Sequence, residues 1–380
     1  MIQNKRARHA VGAVFFVLGT LIGVWATRIP DIKQILELSE SEFGGILLAM
    51  ASGAVIGFPI SGHLVDRFGA ARVAKVFAVA LVTGFAFLPF ALIDYVVVAA
   101  FFITGFGIGT LDVSMNGWGA EVEQSLGRPV MSSYHGLYSL GAGAGAGAGV
   151  LALWAELSVT AHFIGWCLML TPLVAFALTT SWTSESTATT EEKPPVFVLP
   201  RGALFVAGIM ALVAALAEGA VTDWAALYQI QELGFDSSEA AIGFTVFSIA
   251  MVAMRLAGDR LIARYGGARV ARISGVVAVI GVAFLVSGSN LVVVAVGCAM
   301  MGLGNAVIFP LAISRAASEP GLSKGAGIAS VALLGYGAFL FGPPVLGFIG
   351  EFWSLRLSFV VVGALSLLII AGAGVFRARS

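Results

Sequence analysis

The sequence predicts an all-α integral membrane protein whose twelve transmembrane helices form two parallel six-helix repeats. Three observations carry that expectation. Of 380 residues, 59% are hydrophobic and only 11% charged, whereas a soluble domain carries about 25% charged residues. Lipid must cover what polar side chains cannot. Twelve apolar runs each approach the roughly 20 residues that a helix needs to cross about 30 Å of hydrocarbon. Finally, Arg67-Phe68-Gly69-Ala70-Ala71-Arg72-Val73-Ala74-Lys75 recurs as Arg264-Tyr265-Gly266-Gly267-Ala268-Arg269-Val270-Ala271-Arg272, 197 positions on (264 − 67), with six of the nine residues identical. Each copy is a basic turn between two apolar runs, and an internal repeat of that kind sets the architecture.

The elements follow in order. Span 1 (9–27) follows Lys5, Arg6 and Arg8 and has no small-residue cleavage site after it, so it reads as a membrane helix and not a removable signal. Span 2 (42–62) opens on Ser39 with Glu42 three residues later, a capping-box pattern. Span 3 (73–92) leaves the first basic turn, and span 4 (95–116) carries Gly105 and Gly107. Span 5 (132–154) contains alternating Gly and Ala from Gly141 to Gly149, a smooth surface for close helix contact. Span 6 (159–180) holds Cys167 as a small core residue. The polar stretch 181–201, with Glu185, Glu191, Glu192, Lys193, Pro194 and Pro195, reads as a linker.

The second half repeats the first. Span 7 (202–222) precedes a second capping box, Asp236 to Glu239, which opens span 8 (238–257). Span 9 (270–288) leaves the second basic turn, and span 10 (290–312) carries Cys298 with Gly302 and Gly304, aligned with Gly105 and Gly107. In span 11 (326–348), Gly342-Pro343-Pro344 marks a break or bend, and span 12 (357–376) closes the repeat. The expected domains are therefore 1–180, a cytoplasmic linker 181–201, and 202–380.

Charge sets the expected orientation. With the N-terminus inside, the cytoplasmic segments hold 18 of the 21 Lys and Arg residues, Arg255 among them, and the outer segments hold Arg28, Lys33 and Arg356. Both termini then lie in the cytoplasm and the chain spans the cell's inner (plasma) membrane. Net charge is zero, so nothing points to nucleic acid.

Gly62-His63-Leu64-Val65-Asp66-Arg67-Phe68-Gly69-Ala70-Ala71-Arg72 resembles the loop 2–3 motif of the major facilitator superfamily: Gly, then Asp-Arg, Gly and a basic residue at set spacing. The twelve spans and the central loop extend the resemblance over the whole chain. The second copy departs from it, with Ala263 where the Asp would stand and Gly258-Asp259-Arg260 just upstream. The resemblance implies the superfamily fold and alternating access. It also implies that Asp66, Arg67 and Arg72 act as conformational latches, mainly in the N-terminal half. Asp112-Val113-Ser114-Met115-Asn116 and His135-Gly136-Leu137-Tyr138-Ser139-Leu140-Gly141 are similar to the fucose/proton symporter branch, with Asp for its Glu and His and Tyr for its amides. Those departures, and the absence of an acid in span 1, keep its substrate from being carried over.

Ionisable groups within hydrocarbon are costly, which makes them functional candidates. Asp112 and Asn116, four apart, share one face of span 4. Glu218 lies in the outer third of span 7, with Asp223 at its end. In the resembled fold spans 1 and 7 meet, so Arg28 is expected to pair with Asp223 or Glu218 as an outer gate. His135 and Tyr138 in span 5, Asn305 in span 10 and Trp25 in span 1 complete the candidate contacts for substrate or proton. Trp118 is grouped with the interfacial belt. No metal ligand set, P-loop or catalytic grouping stands in the sequence, so no cofactor is expected. The leading reading is a monomeric secondary transporter of a small polar, sugar-like solute by proton symport. Proton-driven efflux is the alternative, ahead of a membrane-embedded enzyme, a channel or a lipid flippase.

Overall fold

A computed structural model describes residues 2–37, 40–91, 94–184 and 198–377. The described residues form thirteen α-helices: α1 (Ile2–Ile35), α2 (Glu40–Phe68), α3 (Ala70–Phe87), α4 (Asp94–Leu126), α5 (Met131–Trp154), α6 (Val159–Leu178), α7 (Gly202–Leu233), α8 (Ser237–Tyr265), α9 (Gly267–Ser287), α10 (Leu291–Asn305), α11 (Ile308–Ala317), α12 (Lys324–Phe352) and α13 (Leu355–Gly372). Short 3-10 helices, Leu88–Ala91 and Ala373–Phe376, extend α3 and α13. Since α10 and α11 together make one span, twelve spans result among the described residues, one for each apolar run.

Most helices run past the hydrocarbon ruler. α1 reaches Ile35 and so includes Arg28 and Lys33, while α4 continues to Leu126 and α8 to Tyr265. The apolar run measures only the lipid-covered part of a helix. Beyond it, backbone hydrogen bonds and caps carry the helix into polar surroundings. The expected capping box opens α8: Asp236 N donates to Glu239 Oε2 at 3.1 Å and Glu239 N to Asp236 Oδ1 at 2.8 Å. Its counterpart at Ser39 lies outside the described residues, as does most of the expected linker.

The basic turns fold alike. Gly69 (φ 85°) and Gly266 (φ 79°) occupy the same left-handed position ahead of α3 and α9, where any side chain would strain the backbone. Arg67 lies over the Phe68 ring at 5.1 Å and Arg264 over Tyr265 at 5.3 Å. The repeat extends into the packing. A Cβ on Gly105 would strike the Met50 carbonyl, and one on Gly302 the Phe247 carbonyl, the same 197-residue step on both sides. Gly107 meets Leu81 and Gly304 meets Ala278, again one repeat apart. Gly105 and Gly302 let α2 approach α4, and α8 approach α10, at backbone distance, while Gly107 and Gly304 face α3 and α9.

The chain divides into two compact units. The first holds Met1–Gly127, Leu137–Val198 and Pro320–Ala329; the second holds Arg128–Gly136, Leu199–Glu319 and Ser330–Ser380. This differs from the boundary at 180–202, because the first turns of α5 and α12 pack in the unit opposite to their remaining length. In the first unit α2 lies along α4, and α3 packs on α4 and α6. Gly141 and Gly145 of α5 face the α1 backbone at Phe16 and Thr20, whereas Gly143 and Gly147 meet nothing within 4 Å. In the second unit α10 packs on α8 and α9, and α13 on α9 and α7.

Two sequence expectations change here. Of the break or bend expected at Gly342-Pro343-Pro344, the break is absent, since α12 is one helix through Pro343 and Pro344; a helix interruption inside a span falls at Ala306–Val307, between α10 and α11. Trp118 is no belt residue: α4 carries it inward to full burial, with Lys75 Nζ 5.3 Å from its ring centre. Cys167 and Cys298 are buried and unpaired with each other.

Candidate functional site

The break between α10 and α11 builds the most chemically loaded spot of the second unit. Pro310 has no N–H to return to the carbonyl four residues back, Ala306. That carbonyl accepts instead from Arg255 Nε of α8 at 3.4 Å. The same guanidinium reaches Glu218 of α7, Nη2 to Oε2 at 2.9 Å. The side chain of Arg255 is 7% exposed and that of Glu218 32%, so the pair is closed on the cation's side and open on the carboxylate's. At 1.5 Å rise per residue, Glu218 lies roughly 24 Å from the start of α7, and Arg255 roughly 15 Å from the end of α8. Both are within the span, where a lone charge is costly and a pair stabilises each member.

His135 joins this neighbourhood. The first turn of α5 is fastened to α8 by Ser132 Oγ donating to the Arg255 carbonyl at 2.7 Å. His135 is buried with its ring edge-on to Phe309 (centroids 5.6 Å), and Phe309 meets Tyr336 at 5.5 Å. Asn305, the last residue of α10, is 2% exposed; its amide donates to Met301 O at 2.9 Å while Oδ1 has no partner among the described residues. Glu218, His135 and Asn305, picked from three separate spans, thus lie around one helix break.

The first unit holds the other acid. Asp112 and Asn116 are both buried in α4, and Asn116 Nδ2 donates to the Asp112 carbonyl at 2.9 Å and to Oδ1 at 3.4 Å. Trp25 is packed edge-on against Phe101 at 4.9 Å, tying α1 to α4. Tyr138 is half-buried on α5, and its carbonyl lies against Gly19 of α1.

Two carboxylates cap helices. Asp66 Oδ1 accepts from Gly325 N at 3.1 Å and Oδ2 from the Ser323 hydroxyl, holding the start of α12. Asp259 Oδ1 accepts from Ser132 N and Oδ2 from Ser133 N, both at 3.0 Å, with the Ser133 hydroxyl on Oδ2 as well, holding the start of α5. The N–H groups at a helix start lack internal partners and carry positive partial charge, so a carboxylate suits them. The asymmetry expected from Ala263 is corrected by this geometry. Asp259 stands one helical turn before Ala263, on the same face, and serves the second unit as Asp66 serves the first. Arg67 and Arg72 are exposed, and Arg67 stacks on its neighbour Phe68.

Arg28, expected to pair with Asp223 or Glu218, is engaged by partners within the first unit. Its three donors stay in the first unit: Nη1 to Asp31 at 2.7 Å, Nε to His162 Nδ1 at 3.1 Å and Nη2 to the Leu157 carbonyl at 2.8 Å. Glu218 is taken by Arg255, and Asp223 is exposed. The reason is the length of α1, which makes Arg28 a 3% exposed helix residue facing α6 and not a loop cation.

Sequence reasoning missed Arg255. It was counted among cytoplasmic cations, yet Val252-Ala253-Met254-Arg255-Leu256-Ala257 places it inside an apolar run, and that is the signal of a buried ion pair. Pro310 was equally readable as a source of a free carbonyl. Ser132, Ser133, Ser323 and His162 gave no local sign, because their partners are distant in sequence; Asp31 stands three residues from Arg28 and was readable as its partner.

The sequence matches the profile of the Major Facilitator Superfamily over residues 10–337 and again over 207–380. An uncharacterised transporter, y4wD, of Sinorhizobium fredii is 40% identical over 370 residues, covering 97% of this chain and 98% of that one. Among solved structures, FucP in the outward conformation superimposes with a TM-score of 0.75 at 18% identity, covering 98% of each chain. The proton:xylose symporter XylE superimposes with a TM-score of 0.76 at 12% identity, covering 97% of this chain and 94% of that one. At those identities the likeness is one of fold. Together with the twelve spans and the repeated packing, the family match identifies this chain as a member of the major facilitator superfamily, a multi-pass membrane transporter and not an enzyme.

Proposed function

We propose that the protein is a secondary active transporter that moves a small polar solute across the plasma membrane together with a proton, by alternating access and as a monomer with both termini in the cytoplasm. The observation that carries this reading is the Arg255–Glu218 pair: a membrane-depth ion pair whose carboxylate side is open. A carboxylate so placed has a protonated and a charged form of different affinity for its partner, which is what coupling to protons requires. Asp112, buried beside Asn116, is a second proton site of the same kind in the first unit. The caps at Asp66 and Asp259 supply the moving parts, since releasing the first turns of α12 and α5 frees two helices that each belong to both units. The names of the structural neighbours span fucose, xylose and organic anions, so the fold by itself selects no solute.

The test is a proteoliposome assay. Solute accumulation driven by an imposed pH gradient, lost in Glu218→Gln and reduced in Asp112→Asn, supports symport. Accumulation that is indifferent to the gradient, in the native protein and in both variants, removes proton coupling. Accumulation against the direction of proton entry indicates efflux.

A further inference from the structure

We propose that the solute is a small organic monocarboxylate, bound by Arg255 in place of Glu218; the proposal rests on the symport reading above and names its substrate class. Arg255 is held from behind, with Nε on the Ala306 carbonyl that Pro310 leaves open and its own carbonyl on Ser132 Oγ. Its Nη2 carries a carboxylate already, so the site is shaped for one. Glu218 is the exposed partner, and a ligand carboxylate arriving from that side replaces like with like. A guanidinium offers parallel N–H donors that match a carboxylate's two oxygens. One guanidinium balances one negative charge, which favours a monoanion over a dianion. Phe309, three residues past the Ala306 carbonyl that Arg255 engages and between His135 and Tyr336, offers an apolar ring for the organic part.

The exchange fixes the coupling. A displaced Glu218 would be a charge at membrane depth without a counter-ion, so it takes up one proton from the side to which the site is open. The ligand anion and that proton enter together: Arg255 keeps one negative partner, Glu218 becomes a neutral acid, and no net charge moves. On release the proton leaves Glu218 to the other side and the original pair re-forms. Glu218 faces Arg255 of α8, and the other titratable groups about the helix break are His135 of α5 and Tyr336 of α12, both against Phe309. Asp259 is engaged with Ser132 and Ser133, and Arg315 of α11 pairs with Glu319.

The experiment uses the purified full chain with sodium lactate, pyruvate and benzoate as probes, against lactamide, benzamide and L-fucose. Thermal stabilisation of the protein and uptake into proteoliposomes are both read. The proposal expects stabilisation by carboxylates and not by their amides, with apparent affinity falling about tenfold per pH unit on the alkaline side, the signature of one linked proton. Glu218→Gln keeps carboxylate binding and loses that slope. Arg255→Gln loses binding, and Arg255→Lys, which keeps the charge without the fork, weakens it. Uptake is insensitive to an imposed membrane potential. Equal stabilisation by amides or by L-fucose overturns the proposal, as does the absence of any carboxylate effect, or a pH slope that survives Glu218→Gln. L-fucose accumulation under a pH gradient without carboxylate binding would sink the substrate class and leave symport standing. Tight carboxylate binding with no gradient-driven uptake would do the reverse.

Discussion

Asp66 and Asp259 perform the same task at positions that the internal repeat does not align. Each is a buried carboxylate on the last turns of a helix, and each accepts hydrogen bonds at the start of another helix, α12 for Asp66 and α5 for Asp259. A capping side chain contributes about 0.5–2 kcal/mol. Asp66→Asn and Asp259→Asn are therefore expected to lower thermal stability and transport rate to a similar degree. An Asp259→Asn variant that behaves as the native protein, beside an impaired Asp66→Asn, would restore the idea of an N-terminal latch.

Arg255 and Glu218 should couple in a double-mutant cycle. Removing one partner of a buried pair costs about 3–5 kcal/mol, because a charge is left behind. Glu218→Gln is expected to be the more damaging single change by thermal unfolding in detergent, since it strands the less exposed charge, that of Arg255. The Arg255→Gln/Glu218→Gln double variant should recover much of the loss. Additive effects of the two changes would show that the pair is not an energetic unit.

The Gly-Ala run of α5 should divide by face. Gly141→Ala and Gly145→Ala push a methyl into the α1 backbone at Phe16 and Thr20, whereas Gly143→Ala and Gly147→Ala enter open space. Overpacking costs about 1–3 kcal/mol. Monodispersity and melting temperature of the solubilised variants should fall for the first pair and hold or rise for the second. The same logic predicts that Gly105→Ala and Gly302→Ala, which meet equivalent carbonyls, fail together.

Arg28 should act through the first unit alone. Arg28→Ala removes bonds to Asp31, His162 and the Leu157 carbonyl and is expected to destabilise by more than 1 kcal/mol. Asp223→Ala, at an exposed site, should stay within about 0.5 kcal/mol. Swapping the charges of Arg28 and Asp223 should rescue neither variant in a transport assay.

The twelve spans, the repeat and the glycines that permit close packing were legible in the sequence because each is local. Hydrophobic run length reports lipid contact, and a left-handed turn or a backbone approach admits only glycine, as at Gly69, Gly266, Gly105 and Gly302. The candidates Glu218, His135 and Asn305 were legible one by one as polar groups in apolar runs. What gathered them was tertiary: a break after Asn305, a carbonyl opened by Pro310, and Arg255 drawn inward to meet it. Charge counting did not reveal the partners of Arg255 and Arg28, because the composition of a segment says nothing of the direction a long side chain takes. The second capping acid was hidden for a related reason. A sequence alignment matches positions, whereas a helix presents the same face one turn earlier, and only the packed structure shows that Asp259 stands there for the missing acid at Ala263.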